Sequence, residues 1–87
     1  MAWRVEFDTA AEKSLRKVDR AWQARIVAYL EEVGELPDPR VRGKSLTGKL
    51  TGLWRYRVGD YRIVCQLQDE VLLVRVVKVG HRRDVYD

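Results

Sequence analysis

The fold of this chain is decided by residues 53–67, which read Leu-Trp-Arg-Tyr-Arg-Val-Gly-Asp-Tyr-Arg-Ile-Val-Cys-Gln-Leu. Two runs that alternate apolar and polar residues flank Gly59-Asp60, a pattern typical of a β-hairpin with a two-residue turn. Such a turn pairs Val58 with Tyr61, and every other cross-strand pair of the hairpin follows from that one.

The predicted hairpin has one apolar face and one basic face, because successive side chains of a strand point to opposite sides. The apolar face, expected to lie on the core, carries Trp54, Tyr56, Val58, Tyr61, Ile63 and Cys65. The other face carries Arg55, Arg57 and Arg62, with Arg57 directly opposite Arg62. Like charges placed opposite each other destabilise a sheet. We therefore expect the three guanidiniums to bind an anionic ligand.

Length and composition indicate one soluble globular domain that spans residues 1–87. No apolar run is long enough to cross a membrane and no signal peptide is evident, so we expect a cytoplasmic protein without membrane contact. The single Cys65 lies on the apolar face of the hairpin and is read as a core residue. One His and one Cys without clustered carboxylates do not support a metal site, and no cofactor is expected.

The basic charge is concentrated in the half of the chain that contains the hairpin. Residues 1–39 hold six basic and eight acidic side chains, whereas residues 40–87 hold eleven basic and five acidic ones; the balances of −2 and +6 sum to the net charge of +4. This asymmetry favours a polyanionic partner, above all nucleic acid, over a general solubilising charge.

The segment before the hairpin predicts a strand and two helices. Residues 2–7 alternate as a short strand. Thr9-Ala10-Ala11-Glu12 fits a capping box, which predicts a first helix that ends near Val18. Asp19 can cap a second helix that runs to about Val33. We expect these helices to form an αα-hairpin on one face of the sheet.

Residues 40–52 contain three glycines and four basic residues and are predicted to form a basic loop. The glycine spacing does not match a phosphate-binding loop, so a nucleotide site is not expected. Since the loop leads directly into the hairpin, Lys44 and Lys49 are candidates to border the arginine face.

Residues 71–79 form a β-branched run that predicts a central or nearly central strand, mostly buried on both faces. This strand runs antiparallel to residues 61–67, so its end returns to the hairpin turn. Four candidate site residues are thereby expected beside Arg57 and Arg62: His81, Arg82, Arg83 and Tyr86. The predicted fold is α+β: a short N-terminal strand, an αα-hairpin and a three-stranded antiparallel meander that form one sheet with the helices on one face.

A group of arginines with a tyrosine and a histidine nearby suits phosphate binding and stabilisation of a phosphorane-like transition state. With RNA as the substrate, the adjacent 2′-hydroxyl can serve as the nucleophile without a metal ion. Arginine does not act as a base, because its pKa lies above about 12. Proton transfer is left to Tyr86, His81 or a loop lysine, and the residues do not decide among them.

Residues 52–64 (Gly-Leu-Trp-Arg-Tyr-Arg-Val-Gly-Asp-Tyr-Arg-Ile-Val) and 76–86 (Val-Val-Lys-Val-Gly-His-Arg-Arg-Asp-Val-Tyr) resemble RelE-type toxins of the RelE/ParE toxin–antitoxin superfamily. The resemblance implies a RelE-like fold and a toxin that enters the ribosomal A site and cleaves mRNA by 2′-hydroxyl attack without a metal. It also implies a RelB-type antitoxin protein that wraps the toxin in a hetero-oligomer. By position, the resemblance assigns catalytic roles to five residues: Arg55, Arg57, Arg62, Arg82 and Tyr86. The substrate-binding candidates are Lys44, Lys49, His81 and Arg83.

This chain departs from the best-studied relatives at several of these positions. Arg55 and Arg57 stand where those relatives have lysines, and the spacing between Arg82 and Tyr86 is shorter. Two other functions stay open: a ParE-like, non-enzymatic inhibitor of DNA gyrase, and an inactive member retained for antitoxin binding.

Overall fold

The computed structural model describes residues 2–83 of the chain. Two helices pack against one five-stranded sheet. The strands are β1 (Arg4–Phe7), β2 (Lys44–Ser45), β3 (Trp54–Val58), β4 (Tyr61–Gln68) and β5 (Leu73–His81). The helices are α1 (Thr9–Arg16) and α2 (Arg20–Glu35). The spatial order is β1-β5-β4-β3-β2, with β1 parallel to β5 and the other pairs antiparallel. The α+β class and the near-central last strand are confirmed.

The hairpin of β3 and β4 has the predicted register. Val58 pairs with Tyr61, Arg57 with Arg62 and Tyr56 with Ile63. Gly59 has φ +58°, the positive value that primed two-residue turns require at their first central position. The register follows from turn length because two central residues leave only one way to pair the flanking strands.

Both helices begin close to the predicted positions, but α1 is capped by a different residue. The Asp8 carboxylate accepts a hydrogen bond from the Ala11 amide at 2.8 Å, so Asp8 is the N-cap and the assignment to Thr9 is wrong. Asp19 caps α2 as predicted and accepts a hydrogen bond from the Ala21 amide at 3.1 Å. An ionised carboxylate at the N-cap also interacts favourably with the helix dipole, an advantage that a threonine lacks.

A fifth strand, β2, lies in the segment that was predicted to be a loop. Lys44 pairs with Arg55 and Ser45 with Trp54, so the four-strand prediction is corrected to five. The strand is placed by tertiary contacts. Gly43 has φ +78° and packs so closely on the Arg55 carbonyl that a Cβ atom would overlap it. The Trp54 indole donates a hydrogen bond to the Arg42 carbonyl at 2.7 Å.

The main core lies between the helices and the sheet. It is built from buried side chains of both layers: Trp3, Ala11, Ile26, Leu30, Val33, Tyr56, Ile63, Cys65, Val74, Val76 and Val79. A smaller apolar cluster forms from Leu46, Val64 and their neighbours Leu50, Leu53 and Val77. The segment predicted as a basic loop therefore has an apolar underside that packs on the sheet.

An irregularity in β5 interrupts the strict alternation of buried and exposed side chains along the strand. Val64 pairs with Lys78 whereas Cys65 pairs with Val76, which leaves Val77 as an extra residue in the ladder. Such a bulge changes the alternation of side chains along the strand. Val76 and Val79 both enter the main core, whereas Lys78 is exposed. The prediction of burial on both faces is therefore correct for only part of this strand.

Candidate active site

The hairpin turn brings Arg57 and Arg62 together at one end of the sheet. Val58 and Tyr61 form the cross-strand pair that closes the turn, and Arg57 and Arg62 form the next pair along the hairpin. The turn itself rests on α2: a Cβ atom on Gly59 would overlap the ring of Trp22. The Trp22 ring also lies 5.6 Å from the Tyr61 ring. The helix therefore supports the part of the hairpin that positions the two arginines.

Arg62 is buried rather than exposed on an open face, with 8% of its surface accessible. Burial lowers the pKa of its guanidinium, and the positive charges of Arg57, Arg55 and Arg82 lower it further. This direction means that the site disfavours one more positive charge. A bound anion would act in the opposite direction, because an opposite charge favours the ionised guanidinium.

The last strand delivers Arg82 to the same place. The Arg82 amide donates a hydrogen bond to the Asp60 carbonyl at 2.8 Å, which ties the end of β5 to the hairpin turn. A pocket of about 140 Å³ is lined by Arg57, Gly59, Asp60, Arg62 and Arg82. We call this the arginine pocket. It gathers three guanidiniums from three segments of the chain.

A second pocket of about 240 Å³ adjoins the first through Arg57. It is lined by Tyr29, Gly43, Lys44, Arg55 and Arg57. Lys44 reaches it because β2 pairs Lys44 with Arg55. The two pockets together form a cationic surface, and Arg57 belongs to both.

The other candidate residues are placed differently. His81 pairs with Tyr61, and its ring meets the Tyr61 ring edge-on at 5.7 Å, so it lies on the helix side of the sheet and not beside the arginines. The Arg83 amide donates to His81 Nδ1 at 3.3 Å, and the Arg83 side chain is exposed. Lys49 is exposed in a short 3₁₀ turn, Gly48–Leu50, and lines neither pocket. Tyr86 lies outside the described residues.

The alternation of strand residues explains why His81 was misplaced. Tyr61 faces the core, so its direct partner on β5 faces the core as well. Proximity along the chain to Arg82 suggested a shared site, but neighbours in a strand point to opposite faces. The residues that sequence reasoning missed are Asp60 and Trp22. Asp60 was detectable as the acidic member of the turn between two arginine-bearing strands, whereas Trp22 had no local signal.

The fold and the arginine pocket define a small α+β domain with a cluster of cationic side chains at one end of its sheet, and comparisons with known proteins give its family. The family model described as "ParE toxin of type II toxin-antitoxin system, parDE" matches residues 5–86. Toxin RelG of Mycobacterium tuberculosis is 33% identical over 87 residues, which cover 99% of this chain and 98% of the relative. The mRNA interferase toxin RelE of Escherichia coli K12 is 32% identical over 84 residues, 94% and 85% of the two chains.

Solved structures agree with the sequence comparisons. The toxin–antitoxin complex RelBE2 from Mycobacterium tuberculosis contains a chain that matches with a TM-score of 0.86 and 29% identity, over 97% of this chain and 95% of that one. The intact RelBE toxin–antitoxin complex of Escherichia coli gives a TM-score of 0.73 and 27% identity, over 92% and 96%. The chain belongs to the RelE/ParE superfamily, and it is a RelE-family toxin of the type II toxin–antitoxin class.

Proposed function

We propose that this toxin is a ribosome-dependent mRNA endonuclease that inhibits translation in the cytoplasm. It cleaves by attack of the substrate's own 2′-hydroxyl on the adjacent phosphate, without a metal ion. The observation that carries the proposal is the arginine pocket, in which Arg57, Arg62 and Arg82 converge beside Arg55. Relatives named mRNA interferase, at 32% identity, support the same activity.

Attack of the 2′-hydroxyl on the phosphate requires stabilisation of the developing negative charge and alignment of the reacting groups. Attack on a phosphodiester builds negative charge on the two non-bridging oxygens, and a planar guanidinium can donate two parallel hydrogen bonds to such a pair of oxygens. Arg62 is buried and meets the charge with little competition from solvent, so its electrostatic effect exceeds that of an exposed cation. Arg57 and Arg82 complete the pocket around the phosphate. Lys44 and Arg55 extend the cationic surface toward the next nucleotide.

The test uses Arg62→Ala and Arg57→Ala in a purified translation system, with mRNA cleavage mapped by primer extension. Loss of one preorganised charge donor typically lowers the rate by about 10²–10³. Arg75→Ala is the matched control, because it removes an exposed arginine from β5 outside the pocket. Cleavage by a folded Arg62→Ala variant at the wild-type rate would show that the arginine pocket is not the active site.

Because the matching family model is named after ParE, a second candidate function is a non-enzymatic inhibitor of DNA gyrase. A supercoiling assay with gyrase separates it from the endonuclease. Inhibited supercoiling without mRNA cleavage at the A site would replace the leading proposal with this one.

We also propose a RelB-type antitoxin as the partner of this chain in a hetero-oligomer. The matching structures from Mycobacterium tuberculosis and Escherichia coli are toxin–antitoxin complexes, which supports the assignment. Co-purification of the toxin with the product of a neighbouring antitoxin gene, and loss of toxicity on co-expression, are the expected results.

A further inference from the structure

The three arginines of the arginine pocket account for phosphate binding but provide no acceptor for the proton of the attacking 2′-hydroxyl. Guanidinium groups do not take up a further proton and are not deprotonated in proteins, so they do not act as bases. Five residues line the pocket, and three of them are arginines while one is Gly59. Within residues 2–83, Asp60 is the one residue lining the pocket that carries a carboxylate, a group able to act as a general base.

The position of Asp60 is set by the hairpin and by the last strand. It is the second central residue of the turn that joins β3 to β4. Its backbone carbonyl accepts the hydrogen bond from the Arg82 amide, at 2.8 Å. Asp60 is therefore held at the point where all three arginine-bearing segments meet.

The Asp60 carboxylate is available for chemistry. Between residues 2 and 83, the ion pairs within 4.0 Å involve other carboxylates, those of Glu6, Glu12, Glu32, Asp38 and Asp69. No side-chain hydrogen bond in that part of the chain uses the Asp60 carboxylate as an acceptor either. This acidic group lies in the basic half of the chain, beside three guanidiniums, without neutralising any of them directly.

Other proton acceptors within residues 2–83 lie elsewhere. Tyr61 packs on Trp22 of α2, and the His81 ring packs against the Tyr61 ring on the same side of the sheet. Lys44 lines the adjoining pocket and not the arginine pocket.

We propose that Asp60 is the catalytic residue that accepts the 2′-hydroxyl proton. This inference rests on the proposed endonuclease function. The 2′-oxygen forms a bond to phosphorus as its proton passes to the Asp60 carboxylate, and the bond from phosphorus to the 5′-oxygen breaks. The products are a 2′,3′-cyclic phosphate and a 5′-oxygen that takes a proton from water, after which Asp60 returns its own proton to solvent.

The first test compares Asp60→Asn with wild type in the ribosome-dependent cleavage assay. Asparagine preserves size and turn preference but is not a base. The expected loss in the rate of cleavage is about 10²–10⁴-fold. Binding of a non-cleavable mRNA with a 2′-deoxy nucleotide at the scissile position should be equal or tighter, because a negative charge has left a cationic pocket. Glu70→Gln is the matched control, since it removes an exposed carboxylate at the other end of β4 and should cleave normally.

The second test asks whether the carboxylate itself is required. Asp60→Ala should regain cleavage on addition of sodium formate, in proportion to formate concentration, and not with sodium chloride at the same ionic strength. A purely structural role in the turn would not respond to formate. Tyr86→Phe is measured in parallel, because the resemblance to RelE-type toxins names Tyr86 as a catalytic candidate.

The outcomes separate this inference from the proposed function. If the wild-type toxin cleaves mRNA and Asp60→Asn cleaves it at the same rate, the role of Asp60 is overturned and the proposed endonuclease function is retained. A second combination of results would also overturn the role of Asp60. In it, Asp60→Ala binds the 2′-deoxy mRNA normally but does not cleave mRNA with or without formate, and Tyr86→Phe does not cleave mRNA either. Absence of cleavage by wild type would overturn both the role of Asp60 and the endonuclease function.

Discussion

Replacement of Gly59 by alanine should destabilise the fold through two additive effects that the structure separates. The first is backbone strain, because Gly59 has φ +58° and an L-residue in the left-handed region costs about 1–2 kcal/mol. The second is overlap of the new Cβ with the Trp22 ring, and overpacking of this kind costs about 1–3 kcal/mol. The ring cannot move aside easily, because Tyr61 packs on it at 5.6 Å and the Arg25 guanidinium lies 4.8 Å from its centroid.

The combined loss of about 2–5 kcal/mol is large against a total stability of about 4–13 kcal/mol for a chain of this length. It corresponds to a fall in Tm on the order of 10–30 °C. Urea and thermal denaturation followed by far-UV circular dichroism measure it. Gly48→Ala is the matched control: Gly48 has φ +65°, but a Cβ there meets nothing within 4 Å. It should show the backbone cost alone, about 1–2 kcal/mol.

A double-mutant cycle isolates the overlap. In a Trp22→Ala background the ring is gone, so Gly59→Ala should cost only the backbone strain. The coupling between the two substitutions is then about 1–3 kcal/mol. Equal costs for Gly59→Ala in both backgrounds, or a cost no larger than that of Gly48→Ala, would refute the idea that α2 supports the turn.

Three further predictions concern individual contacts. Tyr56→Phe deletes a buried hydroxyl that donates to the Pro39 carbonyl at 2.8 Å and should cost about 1–2 kcal/mol in urea denaturation. Burial raises the pKa of the Tyr56 phenol. The contribution of this phenol to the free energy of unfolding is therefore complete below about pH 10 and is lost at higher pH, because the unfolded chain ionises first. An alkaline titration in which every tyrosine of the folded protein ionises near pH 10 would contradict this prediction. Burial also raises the pKa of the Cys65 thiol, so a disulfide reagent at pH 8 should label the unfolded but not the folded protein, and rapid labelling of folded protein would count against it. Arg40→Gln breaks a two-pronged ion pair with Asp69, at 2.8 and 3.0 Å, and should cost no more than about 1 kcal/mol, with the difference shrinking at high salt; a salt-independent loss of twice that size would be unexpected.

The sequence of the hairpin was sufficient to predict its strands, its register and the opposition of Arg57 and Arg62. Those features are local: a two-residue turn and a period of two leave one arrangement. The start of α2 was equally local, because Asp19 caps it through its own neighbouring backbone. The strand β2 was not predictable in this way. Two residues, Lys44 and Ser45, carry no periodicity and become a strand only because β3 is there to pair with them.

The candidate site likewise has some features that local sequence predicted and others that depend on tertiary structure. Arg55, Arg57 and Arg62 were identified from alternation, and Arg82 from the direction of the last strand. The burial of Arg62 and the location of His81 depend on which face each strand residue presents after β5 has paired with β4. The bulge at Val77 alters that alternation, and nothing in the local sequence marks its position.

The amino-acid sequence by itself determined the class of fold, the hairpin and the concentration of positive charge, since these depend on short-range periodicity and on composition. Tertiary structure alone decided three further features: the closing of the arginine pocket around Asp60, the support of the turn by Trp22 and the pairing of β2. Each joins residues distant in the chain: Arg82 reaches Asp60, Trp22 reaches Gly59 and Lys44 reaches Arg55. Contacts of that kind form only after the strands have paired and the helices have packed, so no local pattern records them.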